Sequence, residues 1–264
     1  MIAIDHPQRA QDGRMKALTR IPHQLPQPGT LIIFPDQVPY AEAWTLQQRL
    51  HAERVSGNRA DTLVLLEHLP VYTIGRRTKP AHLGRGEAAL RETGATIEPV
   101  NRGGSVTYHG PGQLVGYPIL ALSQHTSGPK AYVRLLEDVL INALGLWGII
   151  GHRVANNPGV WTRSDRGVAK VASIGVRVDR GVTLHGFALN VDLDLSPFAH
   201  IVPCGLQECE ITSMAEIARS PISLALIARQ VAEIFSSVFH LEWTSHTPDI
   251  MISDPVEHHS AQEG

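Results

Sequence analysis

The chain has 264 residues, of which 43% are hydrophobic and 18% charged, a composition typical of a globular protein with its own core. Its formal net charge of −2 excludes a global basic field, so nucleic acid is not an expected partner, and an acidic partner must meet a local cationic patch. Its two cysteines are too few for a disulfide framework, and the N-terminus lacks the apolar core of a signal peptide. The longest uncharged apolar run, 139–150, is too short to span a membrane. We therefore expect a cytoplasmic protein.

Loosely held tails are predicted at both ends of the chain. Residues 1–28 are polar and contain several prolines, and residues 244–264 show no hydrophobic periodicity. The folded body is predicted between them, over 29–243, as one domain without an internal repeat.

Apolar residues in this body recur at the spacing of strands and helices in turn. In chain order, the predicted elements are a strand at 31–34, a helix at 40–55, a strand at 63–67, a short helix at 87–93, a strand at 97–100, a helix at 130–147, a hairpin of 170–178 with 182–191, and two C-terminal helices. A capping box at Ser213 and Glu216 starts the first C-terminal helix, and Ser220 with Pro221 starts the second, over 222–239. The pattern favours an α+β domain with mixed sheets and flanking helices.

The segment 101–120, NRGGSVTYHGPGQLVGYPIL, contains five glycines and two prolines. Glycine lets the backbone approach a ligand closely and expose N–H donors. Between the glycines at 103–104 and those at 110 and 112, the side chains of 107–109 supply hydrogen-bonding groups. The segment is neither a phosphate-binding Walker loop nor a dinucleotide fingerprint. Its spacing alone favours a plain hairpin with two tight turns.

Cys204 and Lys170 are candidate catalytic residues. Cys204 stands between Pro203 and Gly205, which places it on a loop or a strand end, where nucleophiles tend to lie. Taken alone, it is more often a small buried hydrophobe, and Lys170 is more often a solvated charge at a strand end. If the two were about 4 Å apart, the ammonium would favour the thiolate by up to ~4 kcal/mol, enough to make the thiolate dominant at neutral pH.

Three histidines of the body, His68, His109 and His185, are interpreted as polar residues in or near a pocket, with their ring nitrogens hydrogen-bonded. No metal-ligand spacing accompanies them, so no metal site is predicted. His109 or His185 remains a possible base for Cys204. The cationic cluster of 76–85, with Arg76, Arg77, Lys79 and Arg85, is the one obvious place for an acidic protein partner.

Five segments of the body match motifs of one family, in the family's order. They are EHLPVYTIGRR (67–77), RGGSVTYHGPGQLVGYPIL (102–120), KVASIGVRV (170–178), HGFALNVDLD (185–194) and FAHIVPCGL (198–206), with Thr212-Ser213 downstream. On these motifs the chain, from about residue 31 to about residue 239, resembles the octanoyltransferases, also called lipoyl(octanoyl) transferases or lipoate-protein ligase B. The resemblance implies a fold similar to that of biotin and lipoate protein ligases, and a catalytic acyltransferase domain over 29–243.

The resemblance also implies the site. Cys204 matches the family's acyl-thioester nucleophile, and Lys170 matches the lysine that lowers the pKa of that thiol. The implied acyl-binding residues are Arg102, Gly103, Gly104, Ser105, Val106, Thr107, Tyr108, His109, Ser173, Ile174, Gly175, Gly186, Phe187 and Ala188. Ser105 and Val171 stand where the family often has Gln and Ile, which affects only the details of packing. No metal and no cofactor is implied.

Family members take an octanoyl group from the phosphopantetheine thioester of acyl carrier protein and place it on a lysine of a lipoyl domain, the first step of endogenous protein lipoylation. The implied partners are therefore octanoyl-acyl carrier protein, the lipoyl domains of 2-oxoacid dehydrogenase complexes and the glycine cleavage H protein. A monomer is expected, with neither nucleic acid nor membrane as partner.

Three alternatives remain open. An ATP-dependent lipoate or biotin-type protein ligase of similar fold would make an acyl-adenylate and need no cysteine. A non-catalytic module would bind an acyl carrier or a lipoyl domain without turnover. A cysteine hydrolase using His109 or His185 would pass the acyl group to water. The pairing of Cys204 with Lys170 favours the transferase.

Overall fold

Two β-sheets of unequal size and five α-helices make up residues 25–203 and 209–246, the part of the chain that this computed structural model describes. The strands are β1 (Gln27–Val38), β2 (Asp61–His68), β3 (Val71–Ile74), β4 (Thr96–Pro99), β5 (Thr107–His109), β6 (Gln113–Ile119), β7 (His152–Val154), β8 (Asn157–Ser164), β9 (Gly167–Asp179), β10 (Val182–Asn190) and β11 (Leu241–His246). The helices are α1 (Tyr40–Val55), α2 (Glu87–Arg91), α3 (Pro129–Gly145), α4 (Met214–Ala218) and α5 (Leu224–Phe239). None of these helices is long and apolar enough to cross a bilayer.

The large sheet has eight strands in the order β11-β1-β2-β6-β10-β9-β8-β7. β1 runs parallel to both β2 and β11, whereas the other neighbours are antiparallel. The predicted hairpin is confirmed as β9 and β10, which turn at 179–182. The predicted mixed sheets with flanking helices are therefore confirmed, because both strand orientations occur in one sheet and helices cover its faces.

Helices pack on both faces of the large sheet. α1, predicted with the bounds the structure gives it, places Leu46 and Leu50 against Val64 and Val115 on one face. α3 and α5 cover the other face, and both present apolar side chains at the helical repeat, such as Leu136 on α3. Burying one such leucine contributes about 1.5–3 kcal/mol, so this two-sided core fixes the sheet on which the site is built.

The small sheet has the order β4-β3-β5. The sequence analysis did not predict that these strands pair with one another. β5 pairs with β3, whereas β6 belongs to the large sheet, so the glycine-rich segment does not form the hairpin that its spacing favoured. The corner at 110–112 carries the chain from one sheet to the other. Gly112 permits this, because its φ is +89° and a Cβ there would lie 2.0 Å from the carbonyl oxygen of Asp192.

The two C-terminal helices begin at serine caps, one of them displaced from its prediction. The Ser213 hydroxyl accepts the Glu216 N–H at 3.2 Å, which confirms the first cap. The second helix was predicted after Ser220, but α5 begins at Leu224 and is capped by Ser223. The Ser220 N–H instead donates to the carbonyl of Ala215, closing the end of α4.

The folded body extends slightly beyond its predicted limits of 29 and 243. β1 begins at Gln27 and β11 continues to His246, because the two strands pair with each other in parallel. The Gln27 N–H also donates to the carbonyl of His240 at 2.8 Å. The tails over 1–24 and 247–264 lie outside the described residues.

Candidate active site

A cavity of about 770 Å³, its open mouth included, lies between the glycine-rich loop and the β9–β10 hairpin. Among the predicted residues that line it are Lys170 and all the acyl-binding residues except Tyr108: Arg102, Gly103, Gly104, Ser105, Val106, Thr107, His109, Ser173, Ile174, Gly175, Gly186, Phe187 and Ala188. Sequence positions up to about 85 residues apart therefore converge on one pocket.

Tyr108 is the exception among the predicted binding residues. Thr107 and His109 line the cavity, and because side chains alternate along a strand, Tyr108 points to the other face of β5. There its ring packs against Tyr72 and Phe198, at centroid distances of 5.2 and 5.9 Å. Tyr108 belongs to the core beneath the small sheet and does not line the cavity, so a direct part in acyl binding stays a prediction.

Arg102 shapes the glycine-rich loop from within. Its guanidinium donates to the carbonyls of Gly103 and Ser105, at 3.0 and 2.7 Å, and to the carbonyl and hydroxyl of Thr73, at 2.8 and 2.7 Å. The Gly103 N–H donates in turn to the carbonyl of Val176 at 3.1 Å. The buried charge thus holds the loop as a rigid wall, and the N–H of Gly103 is already used in that wall.

A β-bulge directs Lys170 into the cavity. Trp161 of β8 lies opposite Lys170, and the residue before it lies opposite Ala172, so Val171 is the extra residue. Strict alternation would place Lys170 and Ser173 on opposite faces, since they are three residues apart. With the bulge both line the cavity, while Val171 and Ala172 join the hydrophobic core.

The Lys170 side chain is buried, with 2% of its surface exposed. Its Nζ donates to the carbonyl of Pro158 at 3.1 Å and lies 4.8 Å from the ring centroid of Trp161. Lys170 is therefore not the solvated charge at a strand end that its sequence position alone favoured. An ammonium in such a place is held in a fixed position, which a catalytic charge requires.

Cys204 lies outside the described residues, as do 205–208, so its distance from Lys170 stays a prediction. The chain just before it is tied to the cavity wall. The Val202 N–H donates to the carbonyl of His82 at 2.9 Å, and the hydroxyl of Ser105 donates to Nδ1 of the same histidine at 2.7 Å. His82 therefore connects the segment that precedes Cys204 with Ser105, which lines the cavity.

The chain just after 204–208 is tied to Lys170 itself. The Lys170 N–H donates to the carbonyl of Glu210 at 2.8 Å, and the Thr212 N–H donates to the carbonyl of Lys170 at 3.0 Å. Both bonds belong to a parallel bridge between Lys170 and Ile211. Cys209, predicted to have no role beyond packing, lies half-buried against the cluster beneath the small sheet.

Three buried histidines around the cavity are held neutral. His68 donates from Nδ1 to the carbonyl of Val38 at 2.7 Å and accepts the Tyr117 hydroxyl at Nε2, at 2.6 Å. Burial lowers the pKa of His68 to about 4, and burial followed by nearby positive charges lowers the pKa of both His109 and His185 to about 3. A base with a pKa near 3 is a poor acceptor for a thiol proton at neutral pH, which weighs against the cysteine hydrolase.

These histidines predict a fall in stability on mild acidification. Their folded pKa values of about 3 to 4 lie below the unfolded value of about 6.5, so the unfolded chain binds more protons as pH falls below 6.5. We expect the free energy of unfolding to decrease by on the order of 3 kcal/mol between pH 7 and pH 5.5. Urea titrations at several pH values measure this slope.

A single histidine replacement checks the origin of this slope. His68→Gln should remove about one third of it, because one of the three buried rings is then absent. An unfolding free energy that stays constant over this pH range would contradict the neutral burial of the three rings.

Several lining residues were missed by the sequence analysis. Tyr40 at the start of α1 and Val115 and Tyr117 on β6 contribute to the wall, together with the turn residues 156–158. The period-two pattern of QLVGYPI was available to identify β6 as a strand, and the Asn-Asn-Pro run of 156–158 to identify a turn. Neither signal shows which cavity these residues reach, because their neighbours in space are distant in sequence.

Comparison with known proteins places this chain in a family. A model of the lipoyl protein ligase A/B catalytic domain matches residues 39–236. The octanoyltransferase of Chloroflexus aurantiacus is 47% identical over 208 residues, covering 78% of this chain and 92% of that protein. The octanoyltransferase of Tropheryma whipplei is 44% identical over 210 residues, covering 78% of this chain and 86% of that protein.

Solved structures agree on the fold. A bipartite lipoate protein ligase of Thermoplasma acidophilum matches with a TM-score of 0.63 at 14% identity, covering 82% of this chain and 86% of that one. A lipoate-protein ligase A bound with ATP matches with a TM-score of 0.59 at 14% identity, covering 82% and 87%. The chain therefore belongs to the lipoyl protein ligase A/B family and, within it, to the octanoyltransferases, which are acyltransferase enzymes.

Proposed function

We propose that this enzyme transfers an octanoyl group from octanoyl-acyl carrier protein to a lysine of a lipoyl domain, through a thioester on Cys204. The observation that carries the proposal is Lys170, whose buried ammonium lines the cavity and whose backbone binds the chain that follows Cys204. The relatives named octanoyltransferase support the acyl group.

In the first half-reaction the Cys204 thiolate attacks the carbonyl carbon of the carrier thioester. A new carbon–sulfur bond forms, the bond to the phosphopantetheine sulfur breaks, and the released thiolate takes up a proton. Exchange of one thioester for another is nearly balanced in free energy, so no ATP is required. The Lys170 ammonium stabilises the attacking thiolate through its charge.

In the second half-reaction the neutral amine of the acceptor lysine attacks the octanoyl-Cys204 carbonyl. A carbon–nitrogen bond forms, the carbon–sulfur bond breaks, and the amine loses a proton as the Cys204 thiolate returns. The product amide is more stable than the thioester, which drives this step. In this proposal Lys170 either stabilises the returning thiolate or relays the proton.

The cavity suits a medium-length acyl chain. Val106, Val115, Ile174, Phe187 and Ala188 supply apolar lining. Burying the carbons of an octanoyl chain beyond its carbonyl contributes roughly 5 kcal/mol at about 0.8 kcal/mol each, which favours octanoyl over acetyl. The acceptors proposed are the lipoyl domains of 2-oxoacid dehydrogenase complexes and the glycine cleavage H protein, with no cofactor beyond the donor thioester.

The second candidate is an ATP-dependent lipoate ligase, favoured by the likeness in fold to the lipoate-protein ligase A bound with ATP. At 14% identity this likeness shows the fold alone. Intact-mass measurement separates the two functions. Mixing the enzyme with octanoyl-carrier protein and no ATP should add one octanoyl group, which a lipoyl domain then removes. A dependence on ATP for transfer would support the ligase instead.

A further inference from the structure

A groove leads away from the mouth of the cavity along the protein surface. It is formed by the first turns of α3, including Pro129 and Val133, and by the β7–β8 turn, and encloses about 1350 Å³ including its open side. Arg77 and residues 156–158, at the β7–β8 turn and the start of β8, line both the groove and the cavity, so the two are continuous. Since the carbonyl of Pro158 holds the Lys170 ammonium, the groove ends directly at the candidate catalytic charge.

The groove is cationic. Arg77, Lys130, Arg134 and Arg153 line it. The neighbouring carboxylates of Glu137 and Asp138 both accept from Arg153, at 2.7 and 2.6 Å. Among the residues that the structure describes, Arg77, Lys130 and Arg134 form no ion pair, and all three are exposed.

The loop beside the groove adds to this charge. Arg76 and Lys79 are exposed there, again without an ion pair to any described residue. The whole chain carries a net charge of −2, so the cations beside the cavity are a local concentration rather than a general property of the surface. Such a patch attracts an acidic partner and orients it as it arrives.

We propose that this groove docks the acidic surface of the acyl carrier protein and guides its phosphopantetheine arm to the cavity, an inference that rests on the proposed function. The arm carries a phosphodiester and is long and extended, so it needs a channel lined with cations between the carrier surface and the reacting sulfur. The lysine side chain of a lipoyl domain is far shorter and needs only the mouth of the cavity. The groove therefore fits the donor rather than the acceptor.

The test reverses two charges of the groove in the double variant Lys130→Glu/Arg134→Glu. Both positions are exposed on the first two turns of α3, and the thermal unfolding midpoint of the variant checks that the helix keeps its stability. The matched control is Arg49→Glu/Arg229→Glu, which reverses two exposed charges on α1 and α5. The first half-reaction is followed by intact mass with octanoyl-carrier protein and, separately, with octanoyl-pantetheine.

We expect the groove variant to lose about tenfold or more in kcat/KM for acylation by octanoyl-carrier protein, with the rate for octanoyl-pantetheine within about twofold of wild type. The control variant should keep both rates. Acylation by the carrier should also slow with added salt in wild type, and less so in the groove variant.

Three results would overturn the docking proposal. They are an unchanged carrier rate, an equal loss with octanoyl-pantetheine, and a loss confined to transfer from acylated enzyme to the lipoyl domain, which would assign the groove to the acceptor. If wild-type enzyme accepts no octanoyl group from either donor, the proposed function itself fails, and the docking proposal with it. The two failures are therefore distinguishable.

Discussion

The Cys204→Ala variant is expected to take up no octanoyl group and to lose at least about 10³-fold in transfer to a lipoyl domain. Alanine has no nucleophile, so neither half-reaction can pass through a covalent intermediate. Intact mass should show one added octanoyl group on wild-type enzyme and none on the variant, and peptide mapping should place the group on Cys204. Turnover is measured by the mass of the lipoyl domain.

Cys209 provides the matched control for this experiment. It lies five residues further along and is half-buried against the cluster beneath the small sheet. Cys209→Ala should keep acylation and turnover near the wild-type level, with at most a small loss of stability. Full turnover by Cys204→Ala, or loss of the acyl-enzyme in Cys209→Ala alone, would show that the nucleophile is misassigned.

Lys170→Met is expected to lose about 10²- to 10³-fold in acylation of Cys204, since methionine fills a similar volume without the charge. Without an ammonium beside it, the Cys204 thiol should return toward its ordinary pKa of about 8.5. The rate of alkylation of Cys204 by iodoacetamide, measured against pH, should therefore move its midpoint to higher pH. If the pH dependence of alkylation is unchanged in the variant, Lys170 does not lower the pKa of the Cys204 thiol.

Lys170→Arg distinguishes the two roles open to the lysine. Arginine keeps the positive charge and can stack on the Trp161 ring, but it does not release a proton at physiological pH. A purely electrostatic role predicts that the variant keeps part of both half-reactions. A proton-relay role predicts a selective loss of the second, in which the acceptor amine must lose its proton.

The fold was predictable where the local pattern was strong. α1 and the β9–β10 hairpin carry clear periodicity, and both occur as predicted. β8 was missed because its first residues are the turn-forming Asn157, Pro158 and Gly159, and β11 because its pattern is short. The corner at 110–112 was mistaken for a hairpin turn, because sequence spacing does not show which sheet each neighbouring strand joins.

Contacts between site residues were predictable where the strand pairing that creates them could be predicted from the sequence. Ile174 and Phe187 meet because they are paired in the β9–β10 register, which a hairpin prediction already contains. Tyr40 and Tyr117 could not be assigned to the same cavity, since no local signal joins α1 to β6. The inward direction of Lys170 depends on a bulge at Val171, and bulges leave no reliable mark in a single sequence.

The pairing of β1 with β11 has a consequence for how the protein is made. The first strand of the body cannot gain its outer neighbour until residues 241–246 have been synthesised, so a growing chain exposes that edge until then. Completion of the large sheet therefore waits for β11. Chains truncated before Leu241 should aggregate through the unpaired edge of β1.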